Sequence, residues 1–362
     1  MISIAKPALC QEEKDAVIRV MDSGMIASGA IVTEFENAFA MYIGTKYSIA
    51  TCNGTTALEI ALRAMGIGPG DKVVTTTYSF IASTNCIVYV GATPIFADID
   101  INTFNIDIAS ARKALQENPD TKAILVVHLF GHPCDMDAFV TLAKEYNVMI
   151  LEDCAQAHGA KWKGQSVGTF GDAAAFSFYP TKNITTGEGG MVLTNNETVA
   201  ENSRYLINHG MKTRYFHERI GYNYRMTDIA AAIGLEQLKK LDNFIDARRK
   251  NASYYNTNIR NSFIEIPYEA EGALHCYHQY TIKIKKGRRA SIIKLLEQKE
   301  IGYGIFYPHS IPEQPCYNKY NFRTKWPITD YVKTQALSIP VHPLLSQEEK
   351  NTIVDVIDSF SV

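Results

Sequence analysis

Two short runs carry residue types that could do chemistry together. The first, Met149-Ile-Leu-Glu-Asp153-Cys-Ala-Gln156, ends an apolar stretch in a carboxylate. The second, Phe176-Ser-Phe-Tyr-Pro-Thr-Lys182, is followed closely by Gly187, Gly189 and Gly190. A carboxylate closing a buried strand and a lysine on a glycine-rich loop are what pyridoxal 5′-phosphate chemistry requires. The lysine amine forms an imine with the cofactor aldehyde, and the carboxylate keeps a proton on the pyridine nitrogen so that the ring can accept electrons. The pair predicts an enzyme. The plain alternatives are a surface lysine on a turn, and a helix cap or structural ion pair for Asp153. The small residues around Lys182 favour the first reading, because a solvated turn does not need them. Burial beside a cationic ring would also depress the Lys182 pKa and free a neutral amine to move protons.

Further residues fit the same ligand. In Cys52-Asn53-Gly54-Thr55-Thr56 a strand-like run gives way to a helix. Gly54 allows close backbone approach, the first helical amides are unpaired, and Thr55 and Thr56 add hydroxyls, so a phosphate is accommodated there. An asparagine or threonine cap explains the same residues taken alone; Asp153 and Lys182 tip the balance toward phosphate. Ser177 lies on the strand leading to Lys182 and is expected near that phosphate. Phe80 could stack on a flat heterocycle, although an aromatic opening a helix also serves as core. Gln156, three residues past Asp153, could reach the phenolic oxygen of the ring. His128 and His132 have ligand spacing only on a helix, which Gly131 and Pro133 disfavour, so no metal is assigned. His158 and His309 could line a cleft or be structural.

These side chains need a scaffold. Short apolar strands alternate with helical patterns from about residue 45 to residue 195, which predicts an α/β fold with a largely parallel sheet covered by helices. Expected strands are 73–77, 93–97, 123–128, 148–152, 173–178 and 191–194, with helices at 56–65 and 136–146 between them. From Thr227 the apolar spacing of Leu235, Leu238, Leu241 and Ile245 predicts one long helix bridging two domains. A half-exposed strand at 280–285, a helix at 291–299 and the capping box Ser346-Gln-Glu-Glu349 predict a smaller α+β domain. The division expected is 1–245 and 246–362, with the helix around residues 12–21 packing on the small domain.

The formal charge of −2 gives no reason to expect nucleic acid or an acidic membrane as partner. The seven cysteines are scattered without a C-x-x-C pair, so neither a disulfide framework nor a zinc site is expected. With no apolar run long enough to span a bilayer, and Glu12 and Glu13 too early for a secretory signal, the cytoplasm is the expected compartment.

Taken together, the residues resemble the nucleotide-sugar aminotransferases of the DegT type, within pyridoxal phosphate fold type I. The similarity runs from Ser23-Gly24 and Ser28-Gly29 through Asn53-Gly54-Thr55, Gly68-Pro-Gly-Asp71, Glu152-Asp153-Cys-Ala-Gln156, Phe176-Ser177-Phe178, Lys182 and Gly187-Glu-Gly-Gly190 to Asn223-Tyr-Arg225. The resemblance implies that Lys182 carries the cofactor and Asp153 contacts its ring nitrogen. It further implies that Phe80 stacks, Gln156 meets the ring oxygen, and Gly54, Thr55 and Ser177 hold the phosphate. Asn223 would reach the cofactor of a neighbouring subunit, making the site the property of a homodimer. The implied reaction moves an amine from L-glutamate to a keto carbon of a nucleotide-linked sugar; a histidine at the lysine position would imply deoxygenation instead. The runs at 130–136 and 221–227 resemble enzymes that aminate C-4 of a 4-keto-6-deoxy sugar, such as perosamine synthases. Amination at C-3, or a regulator that only binds the cofactor, are the alternatives. Pro312 stands where many members have histidine, in a segment expected near the sugar. Lys212, Arg214, Arg219 and Arg225 could serve the diphosphate or remain solvated charges.

Overall fold

The computed structural model describes residues 1–323 and 325–360. Two helices, α1 (Gln11–Ser23) and α2 (Ala30–Ile43), precede a regular alternation of β1 (Tyr47–Thr51), α3 (Gly54–Ala64), β2 (Lys72–Thr76), α4 (Ala82–Tyr89), β3 (Thr93–Ala97) and α5 (Ile108–Glu117). It continues through β4 (Thr121–Val127), α6 (Met136–Tyr146), β5 (Met149–Asp153), the short pair β6 (Lys161–Trp162) and β7 (Gln165–Ser166), then β8 (Ala173–Ser177) and β9 (Gly190–Thr194). Side-chain oxygens start the helices where the sequence places cap residues. Asn53, Asp107 and Asp135 accept from backbone amides at the first turns of α3, α5 and α6.

Seven strands form one sheet in the order β1-β9-β8-β5-β4-β2-β3. Strands β8, β5, β4, β2 and β3 run parallel, whereas β9 runs against both of its neighbours. The Val, Ile, Leu and Ala residues of β4, β5 and β8 are buried throughout, as a sheet covered on both faces demands.

After β9 come α7 (Glu197–Ile207), an exposed pair β10 (Met211–Thr213) and β11 (Phe216–His217), α8 (Asp228–Leu238) and α9 (Leu241–Asn258). The single long helix expected from Thr227 is therefore two. The chain turns at Lys239–Lys240, where the Lys240 ammonium meets Glu13 of α1 at 2.7 Å. Helix α9 still spans two apolar clusters: Leu241 and Ile245 pack with the large sheet, Ala252 and Tyr255 with a second core.

That second core is built by β12 (Ile264–Glu265), β14 (Tyr280–Ile284), α10 (Arg289–Gln298), β15 (Ala336–Ile339) and α12 (Gln347–Asp358), whereas β13 (Ala273–Leu274) pairs with β6 and α11 (Pro327–Val332) packs through Ile328 and Val332 on the core of the large sheet. Strand β14 is buried along its whole length, not half-exposed as expected, because it is central in the sheet β12-β14-β15. Its Lys283 is tolerated there by ion pairing with Glu265 and by donating to the Ile101 carbonyl at 2.8 Å. The N-terminal helix also lies elsewhere than expected. Ala16 and Val20 of α1 pack on Ala232 of α8, while only the extended segment at Ile2 joins the second core, bridging to Ile301.

Candidate active site

The carboxyl ends of the parallel strands open onto a cavity of about 810 Å³, the place where open α/β sheets present ligands. Gly54, Thr55, Phe80, Asp153, Gln156, Ser177 and Lys182 all line it. Residues separated by more than a hundred positions in the sequence thus converge because β1, β2, β5 and β8 end on the same rim.

At one end of the cavity α3 begins. Asn53 caps it through Thr56 N at 2.9 Å, and among the described residues the Gly54 and Thr55 amides and the Thr55 hydroxyl have no hydrogen-bond partner. Ser177, at the end of β8, faces this turn so closely that a Cβ on Gly54 would lie 2.6 Å from the Ser177 Cβ. Gly190, the first residue of β9, is just as confined: its Cβ would lie 2.3 Å from the Asn53 carbonyl oxygen. Free amides at a helix start with two hydroxyls beside them form an anion cradle. Gly54→Ala is expected to raise the dissociation constant for pyridoxal phosphate about tenfold or more while leaving the far-ultraviolet circular dichroism unchanged, as followed by fluorescence titration.

Asp153 closes β5 and is buried. Its Oδ2 accepts from Ser83 Oγ at 2.7 Å and its Oδ1 from Ala155 N at 3.1 Å. Ser83 is itself bonded to Ser79 at 2.9 Å. Burial pushes the Asp153 carboxyl above the usual range, against the pull of Ser83, Ala155 and Lys182. A buried carboxylate in that position is relieved by a cationic partner, which a protonated pyridine nitrogen would supply. The adjacent Glu152 is consumed structurally, accepting from Gly168, Phe170 and Gly171 amides at 2.7–2.8 Å and from His128 Nε2 at 3.1 Å. His128 Nδ1 accepts from Cys134 N at 3.0 Å, so the proton sits on Nε2. His128, Glu152 and Cys154 lie close enough to share an ion, but both carboxylate oxygens are already occupied.

Lys182 is half-buried on the turn after β8, and among the described residues its ammonium has no hydrogen-bond or ion-pair partner. Burial lowers its pKa to about 8, with Asp153 pulling the other way. A free, partly desolvated amine opposite a buried carboxylate is suited to covalent attachment and proton transfer. Phe80 stands before α4 at the cavity wall, 54% exposed, with its ring centroid 6.3 Å from that of Tyr307. Gln156 donates to the Tyr307 hydroxyl at 3.2 Å and accepts from Phe130 N at 2.7 Å. The residues present fit pyridoxal phosphate: an anion cradle, a carboxylate for the ring nitrogen, a flat exposed aromatic and a free amine share one cavity.

Other expected residues fall elsewhere. Asn223 is exposed and outside the cavity of its own chain, bridged to Asn208. His158 is buried among Phe39, Phe176 and Phe178, its pKa pushed down to about 3 by burial and by Lys182, and His309 is exposed; neither lines the cleft. Pro312 is buried outside the cavity, which among the described residues that segment reaches through Phe306 and Tyr307. Lys212 pairs with Glu201, Arg219 with Asn202 and Arg225 with Asn208, and Arg214 lies over Tyr215. Sequence reasoning missed Ser83, Tyr307 and His278. Ser83 is three residues past Phe80, and nothing local marks its bond to Asp153.

Comparison with known proteins agrees with this geometry. Residues 7–358 match the DegT/DnrJ/EryC1/StrS aminotransferase family. GDP-perosamine synthase of Escherichia coli O157:H7 is 40% identical over 369 residues, covering 99% of this chain and 98% of that protein. The dTDP-3-amino-3,6-dideoxy-alpha-D-galactopyranose transaminase of Aneurinibacillus thermoaerophilus is 38% identical over 351 residues, covering 97% and 95%. The solved PLP-form of the putative sugar aminotransferase Spr1654 from Streptococcus pneumoniae superposes with a TM-score of 0.90 at 28% identity, covering 99% of this chain and 98% of that one. No helix among the described residues is long and apolar enough to cross a membrane. With a match over nearly its whole length, a mostly parallel mixed sheet of fold type I, and a lysine and carboxylate on one cavity, the chain belongs to the DegT/DnrJ/EryC1/StrS family of pyridoxal phosphate-dependent sugar aminotransferases.

Proposed function

We propose that this chain moves an amino group from L-glutamate to C-4 of a nucleotide-linked 4-keto-6-deoxy sugar, acting in the cytoplasm as a homodimer. The observation that carries the reading is Lys182, an amine without a partner among the described residues and with its pKa lowered to about 8, sharing a cavity with the buried Asp153. Bound pyridoxal phosphate would supply an electrophilic aldehyde and an electron-accepting ring. Gly54, Thr55 and Ser177 would hold its phosphate, Asp153 would keep its ring nitrogen protonated, Phe80 would cover a ring face and Gln156 would meet the ring oxygen. Lys182 takes the proton from the carbon that gives up its amine and returns a proton to the carbon that receives one.

Support for the sugar class comes from the similarity to a GDP-perosamine synthase, whose name belongs to a nucleotide-linked amino sugar. Support for a dimer comes from charge. Lys182 is the sole lysine or arginine among the described residues lining the cavity, beside Glu59, Asp153 and Glu188. A nucleotide diphosphate needs further cations, and the exposed Arg214, outside its own cavity, is available to a second copy, as is the polar side chain of Asn223. The second relative, named for a 3-amino sugar, favours C-3 as the alternative position.

The test is to add L-glutamate to the cofactor-loaded protein, follow the absorbance, and then supply nucleotide-linked 4-keto and 3-keto sugars. The expected result is a spectral change with glutamate that reverses with a 4-keto sugar, and a product whose nuclear magnetic resonance spectrum places nitrogen on C-4. No change with any amino acid would overturn the proposal; nitrogen on C-3 would overturn the choice of carbon.

A further inference from the structure

Part of the cavity wall is formed where the chain enters β14, and His278 lies there. The residue is 5% exposed, its Nδ1 is sealed from solvent without a partner, and among the described residues Nε2 has no partner either. Buried polar groups in folded proteins are nearly always bonded. Of the two nitrogens Nε2 is the one not sealed, and on the wall of the cavity it is available to a ligand.

Behind it stands Arg248 of α9, 4% exposed. Its Nη1 donates to the carbonyls of Tyr277 and His278, each at 3.3 Å, and its Nε has no partner. Among the described residues no carboxylate pairs with this guanidinium, whose pKa burial pulls down to about 10. A buried cation without a counter-charge leaves positive potential on the backbone it anchors. After burial itself, the groups that lower the His278 pKa are Lys182 and Arg248, then His158 and His275. The imidazole is therefore neutral, with one N–H to donate. A hydrogen-bond donor in a positive field, beside the lysine that handles the amine, has the chemistry of a carboxylate subsite.

We propose that His278 binds a carboxylate of the amino donor, its imidazole N–H donating to that group in the field of Arg248. The proposal rests on the reading of the chain as an amino-acid-dependent aminotransferase and assigns the donor to a place within the site. Arg248 acts through the backbone of His278 and is a positioning residue.

Cofactor-loaded wild type, His278→Phe and His278→Gln are titrated calorimetrically with glutarate, a dicarboxylate without an amine, and with GDP; glutamate KM and kcat are measured alongside. His278→Phe is expected to weaken glutarate binding and raise the glutamate KM about tenfold or more, with cofactor and GDP affinities within about twofold of wild type. His278→Gln, which keeps a donor, should recover most of the loss. If the aromatic replacement fails to fold, His278→Leu takes its place. Unchanged glutarate affinity in a donorless variant would overturn the proposal, and so would a loss of GDP affinity in place of glutarate affinity. If wild type itself neither binds glutarate nor changes its spectrum with any amino acid, the aminotransferase reading fails first and this subsite with it.

Discussion

Replacing Lys182 with alanine is expected to lower kcat by about four orders of magnitude or more, because one substitution removes both the attachment point and the proton carrier. The fold should survive. Among the described residues the Lys182 ammonium bonds to nothing, so its removal leaves no orphaned partner. Stability should in fact rise in the cofactor-free protein. The amine has a pKa of about 8 in the folded chain against 10.5 as its ordinary value. Between those two values the unfolded chain binds the extra proton, so folding stability increases with pH across the window, and below pH 8 the full cost of holding the charge is present. At pH 7 that cost is on the order of 3 kcal/mol. Thermal melts of cofactor-free Lys182→Ala should therefore lie a few degrees above wild type at pH 7 and converge with it at high pH. A catalytically dead variant that is also destabilised at pH 7 would show that Lys182 is a structural residue.

The second large effect is expected at Asp153. Asp153→Asn keeps the shape and leaves Ala155 N an acceptor in the amide oxygen, while the Ser83 hydroxyl must turn to accept from the amide NH2; the charge that would hold a proton on the ring nitrogen is lost. Turnover should fall about a hundredfold to ten-thousandfold, and pyridoxal phosphate should bind more weakly. The stability consequence again follows from the direction of the shift. Burial raises the Asp153 pKa in the folded state, so the unfolded chain releases its proton first and the folded chain loses stability as pH rises through the raised value. Above that value the bare carboxylate destabilises the cofactor-free protein, and a cationic ring relieves it. Cofactor should accordingly raise the melting temperature of wild type more than that of Asp153→Asn. Equal stabilisation of the two would contradict the assignment of Asp153 to the ring nitrogen.

Much of this architecture could be read from residue order because local and global signals agree. Strand β3 and helix α6 occupy the expected positions: Thr93–Ala97 is an apolar run between turn residues, and Asp135 caps the helix that the apolar spacing announces. Asp153 lies at the end of β5 for the same reason that it stood out, since a carboxylate closing an apolar strand arrives at the rim of the sheet. What could not be read depends on tertiary closure. The break between α8 and α9 coincides with the contact of Lys240 with Glu13, made across 227 positions. Burial of β14 follows from its central place in a small sheet, where Lys283 is paired and bonded. The Ser83 bond to Asp153 joins different strand-helix units, and Tyr307 and His278 reach the cavity from segments with no catalytic pattern of their own. Conversely, His158 and His309 looked available in the sequence, but one is enclosed by phenylalanines and the other faces solvent.

The central claim is that Lys182 holds the cofactor. Reducing the pyridoxal phosphate-loaded protein with borohydride, digesting it and sequencing the modified peptide by mass spectrometry tests this directly. The predicted result is a single pyridoxyl group on the peptide containing Thr181-Lys182-Asn183. A label on another lysine, or none on a protein that binds the cofactor, would contradict it.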